Sequence, residues 1–145
     1  MTPFFIMKIK LPEFLIRKFK MTPYEKLGGA AGVQELVDDF YEIMDTDPKA
    51  SKCRGLHATS LEGANKKLFM FLSGWLGGPS LYIEKYGHPR MRKRHFPFKI
   101  GFAERDEWLY CMRKALDKKQ LKPKFDDEIW SAFQRFAEHM RNQNF

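Results

Sequence analysis

Cysteine is scarce in this 145-residue chain, with Cys53 and Cys111 its only two. Two thiols cannot build the disulfide framework of a small secreted domain, and they fit a reducing compartment, so a cytoplasmic location is expected. They also lack the Cys-x-x-Cys-His pattern, which excludes covalent attachment of a cofactor by that route. Long apolar runs are absent too. The leader MTPFFIMKIKLPEFLIRKFK mixes Phe, Ile and Leu with cations, and Lys8, Lys10 and Pro12 interrupt any stretch long enough for a signal-peptide core or a membrane span.

Other absences narrow the chemistry. The four histidines stand at 57, 88, 95 and 139, and no two are three or four residues apart, so a zinc site made of protein ligands alone is not expected. Gly28-Gly29 and Gly77-Gly78-Pro79 lie between helical patterns, and neither has the strand-to-helix setting of a phosphate loop. No nucleophile elbow is found for Ser-His-Asp or Cys-His catalysis. Alternating strand patterns and internal repeats are missing, which leaves an all-α chain of one domain.

Cations are plentiful, with a formal charge of +8. Half of that surplus lies in the first twenty residues, where five cations accompany one carboxylate, Glu13. Met21-Thr22-Pro23-Tyr24 echoes Met1-Thr2-Pro3-Phe4. Residues 1–21 therefore read as a flexible or loosely docked N-terminal extension, or a weak membrane-surface segment, ahead of a domain over 22–145. A second basic run, Arg90-Met91-Arg92-Lys93-Arg94, raises a nucleic-acid reading. A solvated face explains it, because a helix would put Arg90 and Arg94 on one side and Met91 and His95 on another, and no specific nucleic acid is expected as a partner.

Helical periodicity organises the rest. Thr22-Pro23-Tyr24-Glu25 carries a capping box, and Gly28-Gly29 stops that short helix. Residues 31–45 place Val33, Leu36, Val37, Phe40 and Met44 on one face. An irregular connection is expected over 47–60, and then a helix with a capping signature at Thr59 to Glu62 and an inward stripe of Leu61, Ala64, Leu68, Phe71, Leu72 and Trp75. Residues 80–102 read as mostly loop, with a two-turn helix from Pro89 through His95. Two longer helices follow, over 103–118 and 126–142, with Trp108, Leu109, Met112 and Leu116, then Ile129, Phe133, Phe136 and Met140, turned inward.

His139, beside the last apolar stripe, reads as an ordinary boundary residue. His88 precedes Pro89 and suits a cap. His95 has Met91 four residues before it and Phe96 and Phe98 after it. That apolar setting taken alone favours a buried structural histidine, although it also meets what a haem iron requires, a single neutral imidazole against apolar walls.

In chain order, Phe40-Tyr41, Phe69-Met70-Phe71-Leu72 with Gly77-Gly78-Pro79, Gly87-His88-Pro89-Arg90-Met91-Arg92-Lys93-Arg94-His95-Phe96-Pro97-Phe98, and Ala103-Glu104-Arg105-Asp106-Glu107-Trp108-Leu109 resemble the group II (O-type) truncated haemoglobins. The resemblance spans Thr22 to Phe145 and leaves the leader out. It implies a two-over-two helical sandwich around non-covalent haem b, with a small first helix and a proximal helix reduced to a stub.

The resemblance also assigns residues. It implies His95 as the iron ligand, Tyr41 as the distal tyrosine, Trp108 as an indole donor and Phe40 as pocket wall. Ala64 and Leu68 fall above the haem, and the first residue of the loop after the second helix is matched by His57, or by Leu56 with a one-residue shift. Lys67 is expected near a propionate, with Tyr82, Arg92 and His88 as further candidates for that edge and Phe71, Met91 and Phe98 as cofactor contacts. The implied function is reversible binding of dioxygen and other diatomic ligands, with a peroxidase-like or nitric-oxide-detoxifying enzyme as the alternative and a reductase as a conceivable partner.

Overall fold

The Thr22 hydroxyl accepts the Glu25 amide at 3.3 Å while the Glu25 carboxylate accepts the Thr22 amide, so the expected capping box opens α1 (Pro23–Lys26). These contacts come from a computed structural model that describes residues 20–145; most of the expected N-terminal extension lies outside the described residues. Gly28, in the left-handed region at φ 106°, turns the chain into α2 (Gly29–Thr46). This helix buries Val33, Leu36, Val37, Phe40 and Met44, the face its spacing predicts, and Tyr41 with them.

The connection after α2 is more ordered than expected. Asp47 accepts the Lys49 amide at 3.0 Å and the Tyr110 hydroxyl at 2.6 Å, which seeds a 3-10 turn over Pro48–Ala50 and ties it to the rest of the fold. Next comes α3 (Ser51–Gly55). Five residues are too few to show a helical period, and the helix is held by tertiary contacts.

Helix α4 (Glu62–Trp75) begins at the expected place by a different device, since Ser60 Oγ accepts the Glu62 amide at 3.3 Å and no capping box forms. Its end follows from Gly77-Gly78-Pro79. Gly77 takes φ 93°, and a Cβ on Gly78 would overlap the Tyr24 ring, so the stop also seats α1. The region expected to be loop contains α5 (Leu81–Tyr86), which buries Tyr82 against α4.

Helix α6 (Met91–His95) starts two residues later than expected. Arg90 adopts φ 44° and His88 Nδ1 accepts its amide at 3.1 Å, so the turn ahead of the helix is held by His88. The chain closes with α7 (Phe102–Lys118) and α8 (Pro123–Met140), the latter opened by its proline rather than at Asp126.

Two helix pairs, α2 with α4 and α7 with α8, meet where α2 packs on α7. Phe40, Leu36, Met112, Leu116 and Phe133 are fully buried at that junction, and each large side chain removed from water contributes about 2 kcal/mol. No strand occurs among the described residues. The stripe of α4 behaves differently: Leu72 is buried, Ala64, Leu68 and Phe71 are only partly covered, and Trp75 stays 36% exposed. Helix α6 buries no residue at all. Both elements face a hollow instead of a packed core.

Candidate functional site

That hollow is a cavity of about 770 Å³, within the range of sites that take a small molecule or cofactor. Its lining is mainly apolar, drawn from α2 through α8 and the segments between them. From α6 and its sequel come Met91, Arg94, His95, Phe98 and Ile100.

His95 Nδ1 donates to the Met91 carbonyl at 2.6 Å, a bond within one helical turn. A proton held on Nδ1 leaves the lone pair on Nε2, so the ring is prepared as a neutral ligand through that nitrogen. Among the described residues no three His, Cys, Asp or Glu cluster to hold a metal ion. A metal at His95 would therefore need most of its ligands from a cofactor, and a flat apolar macrocycle suits this lining.

Tyr41, buried on α2, donates its hydroxyl to the Ala64 carbonyl at 3.3 Å. Burial, with a smaller push from Cys53, raises this phenol well above its ordinary value, so it stays a proton donor throughout the neutral range. Its ring meets Phe40 edge-on at 4.9 Å, and Phe40 meets Trp108 in the same way at 5.1 Å. Phe40 itself lies in the core behind the cavity and fixes both neighbours.

His57 closes the group, with its ring 5.9 Å from that of Tyr41 and Nδ1 donating to the Cys53 carbonyl at 2.9 Å. Burial lowers its pKa, the Cys53 bond opposes this, and Arg54 and His95 lower it further; the imidazole is neutral at neutral pH.

Most residues expected at the site line the cavity: Tyr41, His57, Ala64, Lys67, Leu68 and Phe71, then Tyr82, Met91, His95, Phe98 and Trp108. Leu56 lines it beside His57, so both alternatives for that position are in place. Phe40, His88 and Arg92 are outside the lining. Phe40 is core, while exposed Arg92 stacks on Phe96 at 5.3 Å.

Several lining residues were not expected at the site. Arg94 was placed with Arg90 on a solvent face, yet it lines the cavity, donating to the Pro89 carbonyl and lying over the Tyr82 ring at 5.4 Å. Phe136 and Met140 sat on an inward stripe, and periodicity alone does not distinguish a stripe facing a cavity from one facing packed side chains. Glu104 and Arg105 lacked any such signal.

Two stacked helix pairs around an apolar cavity, with a short helix on its wall, are the arrangement of a two-over-two globin. The chain belongs to the bacterial-like globin family, whose model matches residues 22–142, and within it to the group II truncated haemoglobins. It is 36% identical over 121 residues to group 2 truncated hemoglobin YjbI of Bacillus subtilis (strain 168), covering 83% of this chain and 89% of that protein. The group II 2-on-2 hemoglobin from Agrobacterium tumefaciens superposes with a TM-score of 0.84 at 48% identity, over 87% of this chain and 98% of that one. A cold-adapted truncated hemoglobin from the Antarctic marine bacterium Pseudoalteromonas haloplanktis TAC125 gives 0.83 at 45% identity, over 86% and 100%. Membership of this family implies haem-based binding of small ligands. No described helix is long and apolar enough to cross a membrane.

Proposed function

We propose that the protein holds one haem b non-covalently with His95 Nε2 as the axial ligand and binds dioxygen reversibly. The observation that carries this reading is the His95 imidazole, its Nδ1 tied to the Met91 carbonyl, on the wall of a cavity that Tyr41 and Trp108 also line. Haem, when bound there, would supply the iron at which a diatomic ligand binds.

The chain supplies the rest. Lys67 and Arg94 bring positive charge for the propionates. Phe71, Met91 and Phe98 give apolar contact, and Ala64 and Leu68 cover the ligand side. The Tyr41 hydroxyl and the Trp108 indole offer hydrogen bonds to a ligand carrying partial negative charge, each contributing about 1 kcal/mol, while neutral His57, its one proton on Nδ1 toward Cys53, keeps only the Nε2 lone pair free. Residues 22–145 form the binding domain, residues 1–21 are an extension, and a reductase keeps the iron ferrous. Free, buried Cys53 and Cys111 support a cytoplasmic setting.

The test is the absorption spectrum of His95→Ala protein reconstituted with haem. Loss of the wild-type Soret and visible bands is expected, and their retention would remove His95 as the ligand. A second reading, a peroxidase-like or nitric-oxide-detoxifying enzyme, draws on neutral His57 as an acid-base group beside Tyr41. Oxygen release and peroxide turnover measured on one preparation separate the two: slow release with negligible turnover favours binding, and rapid turnover favours the enzyme.

A further inference from the structure

Helix α6 has only five residues and none of them is fully buried, so side-chain packing gives His95 little support. The main chain around it is held from elsewhere, by residues 141–145. Asn142 is the hub. Its side-chain amide donates to the Phe98 carbonyl at 2.8 Å and to the His95 carbonyl at 3.3 Å, while its Oδ1 accepts the Ile100 amide at 3.0 Å. The Asn142 and Gln143 amides both donate to the Ile100 carbonyl, at 2.9 and 3.1 Å, and the Phe145 carbonyl accepts the Phe102 amide at 3.0 Å.

The tail that delivers Asn142 is itself fixed. Met140 is buried and lines the cavity. The Arg141 guanidinium binds the Glu138 carboxylate, donates to the Gln143 carbonyl at 2.7 Å and lies 4.2 Å from the Phe102 ring centre. Gly101 carries an independent sign of the same fit: a Cβ there would overlap the Phe145 carbonyl, so the chain is glycine where the tail crosses it.

We infer that Asn142 is a positioning residue for the axial ligand, through which the C-terminal tail sets the placement of His95 and the protein's hold on haem. The inference rests on His95 being that ligand. Groups that orient a metal-binding histidine typically change metal affinity about 10- to 100-fold when lost, and Asn142 acts one step further out, on the carbonyl of the histidine itself.

The experiment uses the full chain loaded with haem. Asn142→Ala removes every side-chain bond, and Asn142→Asp keeps the acceptor for Ile100 but sets a carboxylate against two carbonyls. Both should shift or broaden the iron–histidine stretching band of the ferrous protein and speed haem transfer to an acceptor apoprotein about tenfold. Tyr110→Phe, which loosens the Asp47 turn away from α6, serves as the stability control and should move neither. Gly101→Ala displaces the tail without altering Asn142 and should repeat the effect, which keeps the idea testable if the Asn142 variants fold poorly. An unchanged band and transfer rate in these variants, with the band lost in His95→Gly, overturns the role of the tail alone. A band that persists in His95→Gly overturns the axial assignment and this inference with it.

Discussion

The Glu107 carboxylate on α7 accepts the backbone amide of Cys53 on α3 at 3.0 Å, and the Cys53 carbonyl in turn receives the His57 imidazole at 2.9 Å. One residue thus carries the position of α7 to a ring at the cavity wall. A carboxylate beside the Trp108 position determines where His57 stands.

Glu107→Ala should release α3 and cost about 1.5–3 kcal/mol, the value of a hydrogen bond to a charged group that is partly shielded from water. Glu107→Gln retains an acceptor oxygen and should recover most of the loss. Urea unfolding of both variants is the check, and equal stability of alanine and glutamine forms would show that the bond contributes little.

Tyr41→Phe removes the hydroxyl while leaving the ring on Phe40. Its 3.3 Å bond to the Ala64 carbonyl is long, so stability should change by less than about 1 kcal/mol. Dissociation of bound oxygen should accelerate roughly fivefold, the equivalent of about 1 kcal/mol of hydrogen bonding. Stopped-flow displacement measures it, and an unaltered rate would assign the hydrogen bonding to Trp108.

Phe40 is fully buried and touches both Tyr41 and Trp108 edge-on. Phe40→Ala should cost about 3–5 kcal/mol from lost burial and the void left behind. Because the same void frees both donors, oxygen dissociation should quicken as well. Phe40→Leu fills more of the space and should restore more stability than oxygen retention. Thermal melts compared with dissociation rates test that divergence.

Arg141 and Arg105 hold the Glu138 carboxyl down to about 2 from an ordinary 4.5. The folded-state value is depressed, so the contribution is fully present above 4.5, declines as pH falls from there, and is lost below about 2. Wild type should therefore exceed Glu138→Gln in stability at neutral pH, with the gap closing across that window. A gap that stays constant from pH 7 to pH 2.5 in denaturant titrations would contradict the linkage.

Much of the architecture is legible along the chain. Helices α2, α4, α7 and α8 are each long enough for apolar residues at three- and four-residue steps to declare a face. The Thr22 to Glu25 box and the Gly-Gly-Pro stop are local chemistry, complete within a few residues. The run from Gly87 to Phe98, followed by Glu-Arg-Asp-Glu-Trp, pointed to the family and to His95.

Tertiary structure decided the rest. Helices α3 and α5 span five and six residues, too short for a period to appear, and exist because α7 and α4 receive them. Whether the inward stripe of α8 met packed side chains or a cavity depended on how far α6 stands from it, and Arg94 turned toward that cavity because Pro89 and Tyr82 capture it. Cys53 and Glu107 stand 54 positions apart, and Asn142 and His95 stand 47 apart. A hydrogen bond needs its partners within about 3 Å, and no pattern in the order of residues encodes that distance until the helices have packed.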